Sequence, residues 1–223
     1  MSAYDALAAS YDDLTVDVQY EKRADFIEKL FRRSRIPVHT VLDLACGTGA
    51  MTWLLTGRGY ELIAVDGSED MLAAAMGKSG TVEGVVPIFL HQSMPKLDLY
   101  RTFQRLRLFI APGGLLVFDI NTVEKLAALD GQVFLDETED TYCVWRTEYR
   151  RGLCTYYVDL FRQQGDGAWD RELEIHRQRA YTVEELTGWL KAAGFTDIRT
   201  CGDMVRRSPR EGEQRIYFTA IRK

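Results

Sequence analysis

The sequence has few of the residues that mark secreted, metal-binding or membrane-spanning proteins. Its four cysteines, Cys46, Cys143, Cys154 and Cys201, have neither C-x-x-C spacing nor a histidine cluster beside them, so we expect no metal site and no disulfide framework. No apolar run approaches the roughly 20 residues that span a membrane, and the N-terminus has no basic region followed by an apolar core. These absences predict a cytoplasmic protein with reduced thiols and no membrane partner.

Positive charge is scarce as well. The 223 residues include 28 Lys and Arg against 33 Asp and Glu, a net charge of −5. The densest basic cluster, Arg101, Arg105 and Arg107, fits a solvated helix face better than a nucleic-acid surface, and we expect no nucleic-acid partner. The length and the 46% hydrophobic content suit a single globular domain with a large core.

The most informative segment runs from Val41 to Ala50. A short apolar run with a carboxylate at Asp43 leads into the glycine turn Cys46-Gly-Thr-Gly49, and a helix is predicted over 51–58. This is the start of a nucleotide-binding βαβ unit. The second strand is predicted over Glu61–Asp66, and an acidic side chain at its end can accept both hydroxyls of a ribose.

The glycine spacing indicates which nucleotide is bound. A dinucleotide fingerprint has a third glycine or alanine after G-x-G, where this chain has Thr52. Asp43 would oppose a pyrophosphate but suits a cationic ligand. The segment resembles motif I of class I S-adenosylmethionine-dependent methyltransferases, whose cofactor carries a sulfonium and an ammonium but no phosphate.

The resemblance extends along most of the chain. It includes a tyrosine-rich lead-in, the stretch after the second strand, a Pro-Gly-Gly turn into the fifth strand and the turn before the closing strand pair: Tyr4–Asp12, Asp66–Leu72, Ala111–Asp119 and Ala193–Phe195. It implies a doubly wound, Rossmann-like α/β sheet over residues 1–131 and 182–223.

The resemblance also implies the cofactor site. Asp66 would bind the ribose, while Asp43 would either contact the cofactor ammonium or hold the glycine turn. The family often has an acidic residue for the adenine amino group where this chain has Ser93, so Gln92 or backbone would share that role. The predicted S-adenosylmethionine contacts are Tyr11, Tyr20, Asp43, Ala45, Cys46, Gly47, Gly49, Asp66, Gly67, Met71, Gln92, Ser93 and Met94.

One family element is missing from the sequence. The third strand, predicted over 85–90, is followed almost directly by a helix predicted over 101–110, where the family places an apolar fourth strand. Leaving that slot empty would deprive the first strand of a hydrogen-bonded neighbour. Either the first and fifth strands pair directly, or another chain fills the gap, or a segment of the native protein is absent from this sequence.

Residues 132–181 depart from βα alternation and resemble the antiparallel β insert that forms a substrate lid in small-molecule methyltransferases. Three strands are predicted, over 133–150, 153–164 and 169–181. A two-residue turn at Arg151-Gly152 would pair Tyr149 with Cys154, Thr147 with Tyr156 and Trp145 with Val158. Cys143 would face Leu160, so no Cys143–Cys154 disulfide is expected.

Candidate substrate residues lie mainly in this insert. His176 is its sole histidine and would be a general base of suitable pKa, or simply a packing residue. Aromatic side chains in a sheet often only pack it, but they can also line a substrate cavity. The candidates for substrate contact are Asn121, Trp145, Tyr149, Tyr156 and Arg179, with Tyr142 as a further aromatic.

The sequence therefore predicts a methyltransferase that acts on an N or O nucleophile of a small molecule, as a monomer or homodimer. One alternative is a catalytically inactive protein that binds S-adenosylmethionine. A second is a nicotinamide-dependent oxidoreductase on the same sheet, against which Thr52 and the Pro-Gly-Gly turn argue.

Overall fold

The computed structural model describes residues 8, 11–14, 18–79, 86–92 and 99–223. The chain divides into two compact units. The first comprises Met1–Tyr20, Thr40–Ser93 and Leu129–Arg179, and the second comprises Glu21–His39, Met94–Ala128 and Ala180–Lys223. Within the described ranges, no helix is long and apolar enough to cross a membrane.

The regular elements alternate at first and then give way to a run of strands. In chain order they are α1 (Tyr11–Leu14), α2 (Tyr20–Phe31), β1 (Thr40–Leu44), α3 (Ala50–Gly57), β2 (Glu61–Asp66), α4 (Glu69–Gly77), β3 (Ile88–His91), α5 (Leu99–Phe109), β4 (Leu115–Asn121), α6 (Val123–Ala128), β5 (Val133–Glu137), β6 (Thr141–Arg150), β7 (Leu153–Gln163), β8 (Trp169–Arg179), α7 (Val183–Ala192), β9 (Phe195–Gly202) and β10 (Arg215–Arg222).

The first unit holds a parallel sheet in the order β1-β2-β3. Asp43 lies beside Ala64, and Asp66 lies beside His91. Ser68 caps α4, because its hydroxyl accepts a hydrogen bond from the backbone N–H of Met71 at 3.2 Å, and this satisfies one donor of the first helical turn. The parallel arrangement brings the carboxyl ends of β1 and β2 to the same edge of the sheet.

The same unit holds the antiparallel sheet β5-β6-β7-β8. The turn at Arg151-Gly152 is as predicted; both residues have positive φ, 51° and 77°, as a type I′ turn requires. The prediction of one strand over 133–150 was wrong. A tight turn divides it into β5 and β6, because Asp140 accepts hydrogen bonds from the hydroxyls of Thr138 and Thr141 at 3.1 and 3.0 Å.

The second unit is built on the antiparallel sheet β4-β10-β9. Its core contains Phe103 of α5, Leu186 and Leu190 of α7 and the stacked pair Phe118 and Phe218. The spacing of Thr182 and Glu185 predicts a capping box at the start of α7, and the structure confirms it: the Thr182 hydroxyl accepts the Glu185 N–H and the Glu185 carboxylate accepts the Thr182 N–H. The closing strands β9 and β10 pair antiparallel.

β1 and β4, the predicted fifth strand, belong to different compact units and are edge strands of separate sheets. β1 is hydrogen-bonded to β2, and β4 is hydrogen-bonded to β10. The apolar residues Val41, Leu42 and Leu44 of β1 are only half-buried, as are those of β4, whereas the central residues of β10 are buried.

Candidate functional site

The glycine turn between β1 and α3 has a backbone that favours small residues. Ala45, Gly47 and Gly49 have φ angles of 59°, 55° and 73°, in the left-handed region. A Cβ on Gly49 would lie 3.0 Å from the Cβ of Ala75, so this glycine lets α4 approach the turn. The turn is closed by a hydrogen bond of 2.9 Å from the Gly49 N–H to the Cys46 carbonyl.

Asp66 holds this turn from the end of β2. Its Oδ2 accepts the Gly47 N–H at 2.8 Å, and its Oδ1 accepts the Ser68 N–H at 2.9 Å. The half-buried carboxylate is thus fixed in place by backbone donors. A carboxylate has about four lone-pair sites, so Asp66 retains the capacity to accept ribose hydroxyls beside the turn.

Asp43 is a half-buried carboxylate with a hydrogen-bond donor on one of its two oxygens. The Thr52 hydroxyl donates to its Oδ2 at 2.5 Å, and no described residue donates to Oδ1. Burial raises the pKa of Asp43; the Thr52 hydrogen bond lowers it and the nearby charge of Asp66 raises it further. A carboxylate whose charged form is disfavoured in this way is stabilised by a cationic ligand.

Cys46 lies between these carboxylates as a neutral thiol. Burial, with Asp43 and Asp66 adding to the effect, raises the pKa of Cys46 to about 12. Because the thiolate is the reactive form, a thiol with this pKa is not a nucleophile at neutral pH. The site has two carboxylates and a turn of backbone amides, and no described cation faces Asp43.

The other predicted cofactor residues lie at different points around the turn. Met71 is buried, and its sulfur lies 4.0 Å from the position a Gly47 Cβ would take. The backbone N–H of Gln92 donates to the Asp66 carbonyl at 2.9 Å, and the Gly67 carbonyl lies 3.2 Å from His91. Tyr11 and Tyr20 are half-buried. Ser93 and Met94 lie outside the described residues, as do residues 4–7, 9 and 10 of the lead-in.

A group of three residues at the turn has no counterpart in the sequence-based prediction. The Thr48 hydroxyl donates to Asp12 Oδ1 at 2.6 Å, and Lys78 Nζ lies 2.5 Å from Asp12 Oδ2 and donates to the Thr48 carbonyl at 2.9 Å. These residues are 30 or more positions apart, and no spacing or periodicity connects them. We call them the Asp12 latch.

Four of the candidate substrate residues lie on the same face of the insert sheet. The predicted pairs Tyr149 with Cys154, Thr147 with Tyr156 and Trp145 with Val158 are confirmed, and Cys143 faces Leu160. His176 faces Tyr156 from β8. Tyr11 of α1, Trp145 and Tyr156 pack on the buried cluster of Cys143, Val158 and Leu160. The sheet thus brings His176, Trp145, Tyr149 and Tyr156 together.

Two hydrogen-bonding groups stand out on this face. His176 is 8% exposed, and its Nε2 lies 2.9 Å from the Glu174 carboxylate. The indole Nε1 of Trp145 is buried and has no acceptor among the described residues. A buried donor without an acceptor costs free energy unless a ligand provides one.

Three candidates lie elsewhere. Arg179 pairs with Leu153, which places it on the opposite face of the insert sheet from Trp145, Tyr149 and Tyr156. Tyr142 is also on that opposite face, 40% exposed and beside Trp169. Asn121 belongs to the second compact unit, at the end of β4, where its side-chain oxygen accepts a hydrogen bond from Lys125 at 3.0 Å.

Known proteins are similar over this region and over the whole chain. Residues 41–111 match the family described as a methyltransferase domain. YqeM of Bacillus subtilis (strain 168) is 29% identical over an alignment that covers 97% of this chain and 96% of YqeM. Its name describes it as a methyltransferase. An S-adenosylmethionine-dependent methyltransferase from Clostridium acetobutylicum ATCC 824 is 26% identical, with a TM-score of 0.84 and 98% of each chain covered.

The matched domain, the curated relative and the solved structure together support a class I S-adenosylmethionine-dependent methyltransferase. The α/β fold with mixed sheets is that of this family. The same fold occurs in KedS8, a sugar N-methyltransferase from Streptoalloteichus sp ATCC 53650, at 18% identity and a TM-score of 0.75, with 100% of this chain and 93% of KedS8 covered. The cofactor of this methyltransferase is S-adenosylmethionine.

Proposed function

We propose that this methyltransferase acts on a nitrogen or oxygen nucleophile of a small molecule, and that the turn between β1 and α3 holds its cofactor. The observation that carries the proposal is the pair Asp43 and Asp66 at the ends of adjacent parallel strands. The Asp43 carboxylate, whose Oδ2 accepts the Thr52 hydroxyl and whose Oδ1 receives no donor from the described residues, suits a cationic cofactor. S-adenosylmethionine, when bound, supplies an electrophilic methyl group on its sulfonium.

The roles of individual residues follow from this assignment. Asp66 accepts ribose hydroxyls while it keeps the Gly47 amide in place, and Asp43 faces the positively charged end of the cofactor. The backbone around Ala45, Cys46 and Gly67 and the side chain of Met71 line the site. Methyl transfer requires an in-line approach of the nucleophile in a dry pocket, so the chain's main task is positioning.

The insert face provides the acceptor site in this proposal. Its aromatic residues Trp145, Tyr149 and Tyr156 offer an apolar surface. The Trp145 indole N–H is a hydrogen-bond donor without an acceptor among the described residues. An acceptor molecule with hydroxyl or carbonyl oxygens, such as a sugar, provides one. Structural similarity to a sugar N-methyltransferase supports an amino sugar as the first acceptor class to test.

His176 is the candidate general base for an acceptor that arrives as an ammonium or alcohol. Its Nε2 lies 2.9 Å from the Glu174 carboxylate, and a carboxylate in that position orients the imidazole. The buried position beside Tyr156 keeps the ring on the aromatic face. A packing role for His176 predicts, by contrast, that methyl transfer does not depend on its ionisation.

We also infer that a segment between β3 and α5 is absent relative to the family. The alignment with YqeM extends over 245 positions, whereas this chain has 223 residues, so at least 22 positions have no residue here. The half-buried apolar side chains of β1 and β4 are what two strands without a common neighbour would have. The absent segment motivates the alternative of a cofactor-binding protein without turnover.

The opposite face of the insert sheet bears on the oligomeric state. Leu135, Trp169 and Leu173 are 58%, 42% and 50% exposed there. Exposed apolar side chains on one sheet face are stabilised when a second copy covers them, so a homodimer competes with the predicted monomer. Light scattering on the purified protein distinguishes the two.

The test begins with binding and continues with turnover. Titration with S-adenosylhomocysteine should give a 1:1 complex, and NADH should not bind; the reverse result would favour the oxidoreductase alternative. Transfer of a labelled methyl group to amino sugars, simple amines and hydroxylated acceptors then tests the substrate class. Binding of S-adenosylhomocysteine without turnover on any acceptor would favour the inactive alternative.

A further inference from the structure

The Asp12 latch connects three separate parts of the first compact unit. Asp12 belongs to the single-turn helix α1, Thr48 to the glycine turn, and Lys78 is the residue that ends α4. Each of the three residues contacts the other two at 2.5 to 2.9 Å. Thr48 is 2% exposed, so its contacts to Asp12 and Lys78 occur at the inner side of the turn.

Partial burial makes these contacts stronger than those of an ordinary surface ion pair. The side chains of Lys78 and Asp12 are 28% and 44% exposed, and both charged groups also bond the same residue of the turn. Exposed ion pairs contribute little because water screens them and the side chains lose entropy. Here the Thr48 hydroxyl and carbonyl fix both partners, which lowers that entropic cost.

The latch also sets the position of α1. Tyr11, which precedes Asp12, packs on the buried cluster of the insert sheet together with Trp145 and Tyr156. One turn of helix therefore joins the glycine turn, through Asp12, to the aromatic face, through Tyr11. Whatever holds Asp12 in place also holds Tyr11 in place.

We propose that Asp12 and Lys78 are positioning residues that fasten α1 across the glycine turn and thereby set the affinity for the cofactor. The proposal rests on the assignment of the glycine turn as the cofactor site. Lys78 fixes the Thr48 carbonyl, so the turn keeps the backbone conformation that leaves its amides available. Asp12 keeps α1 and Tyr11 over the turn, which slows cofactor release.

A purely structural role for the latch makes a different prediction. If these contacts only stabilise the fold, their loss lowers the midpoint of thermal unfolding without ligand and leaves the dissociation constant for S-adenosylhomocysteine unchanged. If they position the turn, the dissociation constant rises even where the midpoint changes little. The two roles therefore separate in one pair of measurements.

The experiment uses Lys78→Met, Asp12→Asn, their double variant and the conservative Lys78→Arg. Titration calorimetry with S-adenosylhomocysteine gives the dissociation constant, and a competition experiment gives the rate of release. We expect the dissociation constant for S-adenosylhomocysteine to rise roughly three- to tenfold in each single variant. We also expect each variant to release S-adenosylhomocysteine faster than the parent. The double variant should bind S-adenosylhomocysteine no more weakly than the single variant with the lower affinity, because both substitutions break the same contact between Lys78 and Asp12. Lys78→Arg should stay within about twofold of the parent protein.

Lys191→Met is the matched control, because Lys191 is exposed on α7 of the second unit, and it should bind like the parent. Raising the salt concentration should weaken binding in the parent more than in Lys78→Met, a comparison that needs no further variant. If the folded variants Lys78→Met and Asp12→Asn bound S-adenosylhomocysteine with unchanged affinity, the proposed positioning role of the Asp12 latch would be overturned. Failure of the parent itself to bind S-adenosylhomocysteine would instead overturn the cofactor assignment of the turn.

Discussion

Replacing Asp43 by Asn decides whether this carboxylate meets the cofactor's charge or only holds the turn. The amide oxygen introduced by the substitution can still accept the Thr52 hydroxyl, so the contact at 2.5 Å has a substitute. What is lost is the negative charge at Oδ1, where no described residue donates. The substitution thus separates the two roles that the sequence left open for Asp43.

The expected magnitude follows from a single charge-assisted hydrogen bond. Such a bond contributes about 1.5–3 kcal/mol, and its loss weakens binding roughly 10- to 100-fold. S-adenosylhomocysteine carries the ammonium and should show the whole effect. The fragment 5′-methylthioadenosine has neither the ammonium nor a sulfonium, so its dissociation constant should stay within about twofold. Titration calorimetry on both ligands provides the comparison.

The unliganded protein should respond in the opposite sense. An acid whose pKa is raised in the folded state contributes stability below its unfolded pKa, and this contribution is lost as pH rises through the raised value. Because burial raises the pKa of Asp43 above its ordinary 3.8, Asp43→Asn should equal or exceed the parent in thermal stability at neutral pH. Affinity of the parent for S-adenosylhomocysteine should fall as pH falls through the raised pKa.

If Asp43→Asn weakened the binding of S-adenosylhomocysteine and 5′-methylthioadenosine equally, the electrostatic role would be refuted. Asp43 would then be a residue that only holds the turn. An effect on S-adenosylmethionine much larger than on S-adenosylhomocysteine would place Asp43 near the sulfonium rather than the ammonium. Thr52→Val is the matched control, because it removes the hydroxyl and leaves the carboxylate. It should lower unliganded stability by about 1 kcal/mol, measured by urea unfolding.

Four further changes test other parts of the site. Asp66→Asn, which loses one of two acceptors for backbone N–H groups, should cost about 1–3 kcal/mol of stability and weaken both ligands alike; unchanged binding of 5′-methylthioadenosine would contradict the ribose role. Gly49→Ala should lower the free energy of unfolding by at least about 1–2 kcal/mol in a urea titration, since φ is 73°. His176→Gln should slow transfer to a protonated acceptor about 10²- to 10⁴-fold at unchanged S-adenosylhomocysteine affinity; an unchanged rate would leave His176 as a packing residue. Trp145→Phe should raise the acceptor KM roughly fivefold or more at unchanged cofactor affinity, and an unchanged KM would mean that the indole N–H meets no substrate.

The sequence predicted best where local chemistry determines the structure. The bounds of β2 agree with the prediction because its apolar run is flanked by Tyr60 and Gly67. One two-residue turn at Arg151-Gly152 sets every pair between β6 and β7, since a hairpin's turn fixes its register. Thr182 with Glu185 identified the start of α7 through a local hydrogen-bond pattern.

The failures have physical causes of two kinds. The single strand predicted over 133–150 missed the turn at Thr138–Asp140, because side-chain hydrogen bonds to Asp140 outcompete continued strand pairing there. The candidate set combined Arg179 with Tyr156, but Tyr156 faces His176 and Arg179 is three residues from His176, an odd spacing that puts Arg179 on the other face of the sheet. The Asp12 latch could not be predicted, because its three members meet only through the tertiary fold.

The arrangement of the site makes cofactor binding separable from turnover. Every described cofactor candidate belongs to the first compact unit, which has its own parallel sheet and its own contacts around the glycine turn. Asn121 and β4 belong to the second unit, and the segment that we infer to be absent would fall between β3 of the first unit and α5 of the second. We therefore expect S-adenosylhomocysteine to bind whether or not any acceptor is methylated. Inserting the corresponding YqeM segment between residues 92 and 99 should raise turnover and leave the S-adenosylhomocysteine dissociation constant within about threefold. A large gain in cofactor affinity on insertion would mean that the glycine turn is itself incomplete without the segment.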